Sequence, residues 1–360
     1  DHKIDRKVIL RTIDSVGACK YLVYAILRHT HSINELVIYN AVRAIQCLST
    51  CFNDAEKCAV AELLVKFRNV GVGDAIVSAV QCHMGSSSIL CVSLDALSNL
   101  ADDKMIRAKL GSSKTCDMVI DILHAYQQNE RIIESACRLI SVLCDNNKSN
   151  SKYLSEVGAC ELLVWSLDTF RGNVMIAKYV CAAVAFLAEL NVQVREQLGA
   201  CNGCEVIGHC MQKYVKDRIV AECGCFAVGN LAEDSPNNIT SLGDCGACGV
   251  IVEMMEFHQD SEIVAWRACR ALTVCAPYVS ASINKSLSTR RIQKAVMDIA
   301  HNFESSSLVA LWSSRALNSV VLDRPHPAEN SMSEPGDRTC DVVIRTLAAH
   351  MNTRVDIVEE

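Results

Sequence analysis

Apolar side chains recur along most of the chain with the spacing of an amphipathic α-helix. One helical segment returns about every 45 residues, which is the period of a repeat architecture. Its copies end at Leu48, Leu100, Leu143, Leu190, Leu231, Cys275 and Val320. Counted back from each end residue, position −3 is always aliphatic and position −7 is always small. Because positions 0, −3, −4 and −7 share one face of a helix, we predict helices that bury this face and let a neighbouring helix approach closely.

A glycine turn is predicted before this helix in most copies. The turn opens a short amphipathic run and is expected at Gly17, Gly158, Gly199 and Gly246. Glycine accepts the left-handed backbone conformation that ends one helix and leads sharply into the next. A further helical stretch precedes the glycine, as in residues 150–157 and 191–198, so each repeat is predicted to hold three helices. The second copy departs, because it is about ten residues longer and carries GVGDAIVSAV where the others carry the glycine turn.

These repeats resemble the armadillo family, whose unit is three helices with a glycine–alanine pair opening the second and an ALSNLA-like third helix. The closest matches are ALSNLAD at residues 96–102 and AVGNLAED at residues 227–234. The resemblance implies an all-α fold, a right-handed α-solenoid of about seven to eight armadillo-like three-helix repeats. HEAT repeats, which also stack helix pairs, are the structural alternative. The three-helix unit and the glycine turn favour armadillo repeats.

The repeat pattern also divides the chain. Residues 1–322 are predicted to form the armadillo array, of about seven units. Residues 323–338 hold three of the five prolines and few apolar side chains, so they are predicted to be a loop or linker. Residues 339–360 are predicted to begin an eighth repeat. Because the end of a solenoid needs a polar cap or another repeat, we expect further chain or partners there, including end-to-end contacts through uncapped repeats.

Composition narrows the class of protein. Hydrophobic residues make up 50% of the chain and charged residues 21%, which excludes wholesale disorder. The net charge of −6 gives no general attraction to nucleic acid or to an anionic membrane, so neither is an expected partner. The 21 cysteines are an odd number and most lie in apolar helical segments, where a free thiol acts as a small hydrophobe. We therefore predict a reducing compartment, either the cytoplasm or the nucleus.

No pattern in the sequence indicates catalysis, a cofactor or a metal. The pairs Cys201/Cys204 and Cys245/Cys248 have the spacing of a structural zinc site. Both pairs lie at the same turn of successive repeats, about 8–10 Å apart, which disfavours a shared metal and favours thiols as core filler. The glycines of the GVG segment lack a preceding strand and a third glycine, so they are interpreted as a turn.

A second face of the third helices, at positions −1, −5 and −8, is the candidate binding site. The armadillo resemblance implies that this face lines a concave groove that binds extended peptides. Four arginines at −5 predict a groove for an acidic or phosphorylated protein segment, since guanidinium groups pair bidentately with carboxylate and phosphate. The alternative is that these arginines are solvated or pair with acids such as Glu134 and Glu262. The candidate residues are Arg43, Asn99, Arg138, Phe226, Asn230, Arg267, Arg270, Trp312 and Arg315.

The same resemblance sets two expectations about function. Importin-α-like members carry tryptophan at −5 and asparagine at −1, whereas here only Asn99 and Asn230 keep the asparagine, which disfavours a nuclear-import adaptor. Phe226 is expected either to pack or to anchor a partner. The favoured function is a non-enzymatic scaffold that holds an extended or helical segment of a protein partner in the groove. The alternative is a regulatory armadillo domain of a larger signalling enzyme, as in TIR-domain NAD hydrolases or roco-family kinases.

Overall fold

The computed structural model describes residues 17–322, except 33–34, 52, 54–55, 112, 191 and 283–288, together with residues 10 and 12. Nineteen α-helices and no β-strand occur within these ranges. The chain divides into two compact units, residues 1–190 and residues 191–360. The predicted linker at 323–338 and the predicted partial repeat at 339–360 lie outside the described residues.

The first unit contains eleven of the described helices. They are α1 (Ala18–His29), α2 (Glu35–Ser49), α3 (Lys57–Asn69), α4 (Val72–Cys82), α5 (Ser87–Leu100), α6 (Lys104–Leu110), α7 (Ser113–Ala125), α8 (Glu130–Cys144), α9 (Lys148–Glu156), α10 (Ala159–Thr169) and α11 (Val174–Ala188). The second unit contains the other eight. They are α12 (Val192–Ala200), α13 (Gly203–Lys213), α14 (Arg218–Ala232), α15 (Pro236–Asp244), α16 (Ala247–Phe257), α17 (Glu262–Ser282), α18 (Thr289–Asn302) and α19 (Ser307–Leu322).

The helices follow the predicted three-helix repeat. The third helices of the repeats are α2, α5, α8 and α11 in the first unit, and α14, α17 and α19 in the second. Each third helix packs against the next one within its unit, and the second helices α1, α4, α7 and α10 pack in the same order, as do α13, α16 and α18. An all-α solenoid of three-helix repeats is therefore confirmed.

The apolar stripe of the third helices lies in the core, as predicted. The −3 side chains are all buried, and they are Ile45, Leu97, Ile140, Leu187, Val228, Leu272 and Leu317. The small −7 residues are buried as well, and Gly224 shows why they are small. A Cβ atom built on Gly224 would lie 2.6 Å from Cγ of Met211, so no side chain fits there unless Met211, in the second helix of the same repeat, shifts its side chain.

The glycine turn is confirmed at three of its four predicted positions. Gly17, Gly158 and Gly246 immediately precede the second helices of their repeats, with φ values of 70°, 92° and 80°. Gly71 adopts the same conformation, with φ 70°, so the second copy has the turn although it lacks the expected sequence. Part of its extra length lies in the first helix α3, which has 13 residues where α9 has nine.

The fourth predicted turn, at Gly199, is wrong. The residue that turns the chain is Asn202, with φ 64°, and Gly199 lies inside the first helix α12. Asparagine is one of the few residues with a side chain that adopts the left-handed conformation at low cost. The sequence offered two similar turn signals in succession, and the second one is used.

A buried asparagine joins neighbouring layers of the first unit. Asn150, in α9, donates its amide hydrogens to the carbonyl oxygens of Leu143 at 2.9 Å and Arg107 at 3.3 Å. It therefore ties its own first helix both to the preceding third helix and to the preceding first helix. Gly111 makes room for it, because a Cβ atom on Gly111 would lie 1.7 Å from Oδ1 of Asn150.

The second unit repeats this joint. Asn238, in α15, donates to the carbonyl oxygens of Leu231 at 3.0 Å and Arg195 at 2.9 Å. Gly199 faces it as Gly111 faces its counterpart, since a Cβ atom on Gly199 would lie 2.0 Å from Oδ1 of Asn238. The glycine expected to be a turn is therefore a close-packing position.

Candidate partner-binding site

The candidate site is the face of the third helices at positions −1, −5 and −8, called here the third-helix face. The predicted site residues differ widely in exposure. Arg43 and Arg315 are exposed, whereas Asn99 and Asn230 are buried. The remaining members are half-buried, and they are Arg138, Phe226, Arg267, Arg270 and Trp312.

Asp95 is the centre of a charged network on the third-helix face of the first unit. It is only 5% exposed and lies at position −5 of α5. Arg131 donates to its Oδ2 at 2.6 Å, Gln46 donates to the same oxygen at 3.2 Å, and Arg138 Nη1 lies 3.9 Å from Oδ1. Arg131 and Arg138 therefore both lie close to an internal carboxylate, which offsets part of their positive charge.

Asn99 is held inside the same network. Its Oδ1 accepts a hydrogen bond from Nη2 of Arg138 at 2.6 Å. Its Nδ2 donates to Oγ1 of Thr50 at 2.8 Å and to the carbonyl oxygen of Gln46 at 3.2 Å. Both ends of the amide are therefore engaged with neighbouring repeats.

Asn230 makes the equivalent contact in the second unit. Its Oδ1 accepts a hydrogen bond from Nη1 of Arg270 at 2.5 Å, and Nη2 of Arg270 lies 2.9 Å from Oε2 of Glu233. The adjacent Gly229 leaves space for this arrangement, because a Cβ atom there would lie 3.0 Å from the same guanidinium. The Arg270 side chain is consequently only 14% exposed.

The two units thus share one pairing rule: an asparagine at −1 binds the arginine at −5 of the next third helix. The partners are 39 residues apart for Asn99 and Arg138 and 40 residues apart for Asn230 and Arg270. Sequence analysis named all four residues but did not pair them. The signal was present, because an asparagine at −1 precedes an arginine at −5 of the next copy in both cases.

Arg267 is stacked between aromatic rings in the second unit. Its Cζ lies 4.6 Å from the ring centroid of Phe226 and 5.3 Å from that of Trp266. Its Nη1 donates to the carbonyl oxygen of Glu222 at 3.1 Å. Burial lowers the pKa of Arg267, and this effect is opposed by the nearby Cys223 and Glu222. Phe226 is therefore covered by a cation belonging to the chain itself.

Trp312 carries a second cation–aromatic contact. Arg315, one turn along α19, places its Cζ 4.8 Å from the Trp312 ring centroid, and Arg270 from α17 approaches to 5.8 Å. Arg315 differs from Arg270 in having no ion-pair partner within the described residues. Arg43, in the first unit, is likewise exposed and has no ion-pair partner in the part of the chain that the structure describes.

The fold can be compared with known proteins. No protein-family model matches the sequence, and no curated protein matches it. Among solved structures, a designed armadillo repeat protein in complex with the peptide (KR)4 aligns at a TM-score of 0.55 and 19% identity, over 69% of this chain and 98% of that chain. A second designed armadillo repeat protein aligns at 0.56 and 21% identity over the same shares. The chain has an armadillo-repeat fold.

A further armadillo-type alignment covers more of the chain. It is with a chain from a structure that concerns a phosphorylation switch controlling the interaction between cadherin and beta-catenin. The TM-score is 0.66 at 16% identity, over 86% of this chain and 54% of that chain. At identities this low, the alignments establish the armadillo fold alone. What those proteins bind is known for them and is not transferred to this chain.

Three aromatic residues of the third helices contact cations of the same chain. Here the rings of Phe226, Trp266 and Trp312 are each approached by an arginine of the same chain. A lysine stem from a partner would have to displace these guanidinium groups.

The cysteine pairs do not gather into a metal site in the described residues. No group of three or more His, Cys, Asp or Glu side chains there is arranged to hold a metal ion. Cys204 and Cys248 are buried, and Sγ of Cys245 lies 3.8 Å from the carbonyl oxygen of Cys204. All twenty cysteines in the described part of the chain are free thiols.

The thiols are expected to fall into two reactivity classes. Burial raises the pKa of Cys137, Cys144 and Cys225 to about 12, which leaves almost no thiolate at pH 8. We expect iodoacetamide at pH 8 to modify the exposed thiols Cys47 and Cys82 in the native protein and to spare the three buried ones until the protein unfolds. Peptide mapping by mass spectrometry measures this, and rapid modification of the buried thiols in native protein would contradict the packing described.

None of the helices in the described ranges combines the length and the apolar character needed to cross a bilayer.

Proposed function

We propose that this protein is a non-enzymatic scaffold that binds an extended or helical segment of a protein partner in a groove lined by the third-helix face. One observation carries the proposal: Arg43 and Arg315 are exposed on this face and have no ion-pair partner within the described residues. Exposed arginines are common on protein surfaces and do not by themselves indicate a binding site. Here they lie on the face that the fold presents in successive repeats.

The comparisons support this function by analogy. The aligned designed protein was solved with a (KR)4 peptide, and another aligned chain comes from a structure that concerns the interaction between cadherin and beta-catenin. Extended partners of this kind gain affinity along a repeated surface, because each repeat adds a similar set of contacts. The partner segment proposed for this protein is acidic or phosphorylated.

We propose different roles for the four arginines at −5. Arg43 and Arg315 supply charge to the partner, while Arg138 and Arg270 brace neighbouring third helices through their asparagines. If Asn99 were to bind the backbone of a partner, its contacts with the neighbouring repeat would first have to break. We therefore propose that the exposed arginines make the first contacts.

The proposed location is the cytoplasm, with the nucleus as the other reducing compartment. Free thiols throughout the described part of the chain support this, since so many unpaired cysteines would oxidise in a secreted protein. The net charge of −6 supports a protein partner over nucleic acid or an anionic membrane.

Removing the two exposed arginines is expected to abolish partner binding without unfolding the protein. The test is affinity capture from native extract with the double variant Arg43→Ala/Arg315→Ala, and quantitative mass spectrometry as the readout. We expect a discrete set of proteins to be lost. Far-UV circular dichroism and thermal melting establish that the variant remains folded.

The matched control removes two exposed arginines that lie outside the third helices. The variant Arg171→Ala/Arg290→Ala takes the same charge from the loop after α10 and from α18. It should retain the captured proteins. Equal loss in both double variants would show a nonspecific charge effect, and no loss in either would remove the arginines from the binding surface.

A further inference from the structure

The third helices carry different net charge in the two units. In the first unit, the third helices hold four basic and four acidic residues, and these are Arg43, Arg131, Arg138, Lys178, Glu35, Asp95, Glu130 and Glu134. In the second unit, they hold four basic and two acidic residues, and these are Arg218, Arg267, Arg270, Arg315, Glu222 and Glu262. The excess positive charge therefore lies on the second unit.

Internal ion pairs engage two of the four third-helix cations in each unit. In the first unit, Asp95 receives Arg131 at 2.6 Å and lies 3.9 Å from Arg138. In the second unit, Arg218 pairs with Asp260 and Arg270 pairs with Glu233. Arg267 and Arg315 have no ion-pair partner within the described residues; Nε of Arg267 is a buried donor without a hydrogen bond there, and Arg315 is exposed and lies against Trp312.

Aromatic stacking prepares a guanidinium group to bind an oxyanion. A ring that covers the flat face of the group limits its rotation but leaves the N–H groups at its edge free to donate. Those donors match the two oxygens of a carboxylate or a phosphate. Cζ of Arg267 lies 4.6 Å from the Phe226 ring centroid, and Cζ of Arg315 lies 4.8 Å from that of Trp312, so both groups are held before a partner arrives. Nη1 of Arg267 already donates to the carbonyl oxygen of Glu222 and its Nε is buried, which leaves Nη2 for a partner.

The same stacking excludes basic side chains. A partner lysine or arginine would need an aromatic face, and the faces of Phe226 and Trp312 are occupied by cations of this chain. It would also approach a surface of like charge, which is unfavourable at short range. This is opposite to the preference of the aligned designed protein, which was solved with (KR)4.

We propose that the second unit is the part of the third-helix face that selects the partner, that Arg267 and Arg315 bind a carboxylate or phosphate side chain of the partner segment, and that basic segments are rejected. This inference rests on the proposed function and adds to it the chemistry of the recognised side chain. Carboxylate and phosphate share the required chemistry, and they are separated by the choice of probe.

The test is fluorescence anisotropy with three labelled peptides of equal length: an acidic (ED)4 peptide, a phosphoserine–glycine peptide, and (KR)4. We expect at least one of the two anionic probes to bind, with affinity that falls as salt is raised, and (KR)4 not to bind. The anionic probe that binds more tightly shows whether the site recognises a carboxylate or a phosphate.

Variants locate the binding. Arg315→Glu is expected to lower the affinity for the anionic probe by about tenfold or more, since one charge-assisted contact contributes roughly that factor. Arg290→Glu makes the same charge change on the second helix α18, at another exposed arginine, and should change affinity by less than about twofold. Arg315→Lys keeps the charge but loses the planar group, so it should fall between the wild type and Arg315→Glu.

Three results would overturn the inference: tighter binding of (KR)4 than of the anionic probes, equal weakening by Arg290→Glu and Arg315→Glu, or no binding of any probe. Cross-linking of the bound probe distinguishes a failure of this inference from a failure of the proposed function. If (KR)4 cross-links to the third helices, the scaffold function stands and the selectivity is wrong. If an anionic probe cross-links to the second helices, both are wrong.

Discussion

Gly111→Ala and Gly199→Ala should each lower the free energy of unfolding by about 3 kcal/mol, near the upper end for overpacking of a core. The reason is a direct collision. A Cβ atom on Gly111 would lie 1.7 Å from Oδ1 of Asn150, and one on Gly199 would lie 2.0 Å from Oδ1 of Asn238. Neither asparagine can retreat cheaply, because each is buried and donates to two backbone carbonyls.

If an asparagine does move aside, the cost takes another form. Its hydrogen bonds to the neighbouring layers break, and each buried group left unpaired costs about 1–3 kcal/mol. Either the collision or the loss of hydrogen bonds therefore lowers the free energy of unfolding by a similar amount. Urea and thermal unfolding, followed by circular dichroism, measure it.

A third glycine provides the control. Gly249 lies in α16 with no atom within 4 Å of a Cβ built on it. Gly249→Ala is expected to stabilise the protein by up to about 1 kcal/mol, because alanine has the higher helix propensity. Gly→Ala is thus expected to lower the free energy of unfolding at Gly111 and Gly199 and to raise it at Gly249. Similar destabilisation by all three variants would contradict the close packing of Gly111 against Asn150 and of Gly199 against Asn238.

Arg107→Ala should also lower the free energy of unfolding by about 3 kcal/mol, because it removes a buried guanidinium group and the charge-assisted hydrogen bonds that this group donates. Arg107 is 8% exposed and lies in α6. Its Nε donates to the carbonyl oxygen of Ala101 at 2.9 Å. Its Nη1 donates to the carbonyl oxygen of Asp145 at 2.6 Å and lies 3.0 Å from the Asp145 carboxylate. The variant leaves these acceptors without their partner.

The same helix supplies a matched comparison. Lys109 forms an ion pair with Asp74 at 2.6 Å, but both side chains are mostly exposed. Lys109→Ala is expected to cost less than about 1 kcal/mol, because water screens such pairs. Chemical denaturation of the two variants in parallel decides the matter, and equal effects would mean that burial does not set the strength of these contacts.

The repeat architecture could be predicted from sequence because its signals are local. An aliphatic residue at −3 and a small one at −7 define a buried helical face wherever they occur together. The turn at Gly199 failed for the same reason, since two adjacent segments, one with glycine and one with Asn202, carry equivalent local signals. Only the contact between Gly199 and Asn238, which belongs to the next layer, distinguishes them.

The candidate site was harder to predict because it depends on contacts between layers. The sequence places Arg138, Arg270 and Arg315 at the same position of their helices, and nothing local separates them. Their surroundings do: Arg138 donates to Asn99, Arg270 donates to Asn230 and a glutamate, and Arg315 lies against an indole ring with no ion-pair partner within the described residues. Which arginine is available to a partner follows from the neighbouring repeat.

The central claim is that the third-helix face binds a protein segment, and site-specific photo-cross-linking tests it most directly. A photoreactive amino acid is placed at Cys47 or Ser319 on the third helices, or at Lys20 or Lys294 on the second helices α1 and α18. Each variant is irradiated in native extract, and the cross-linked peptides are sequenced. We expect cross-links to a partner segment from position 47 or position 319, lost in the Arg43→Ala/Arg315→Ala background. Cross-links concentrated at positions 20 and 294 would contradict the account.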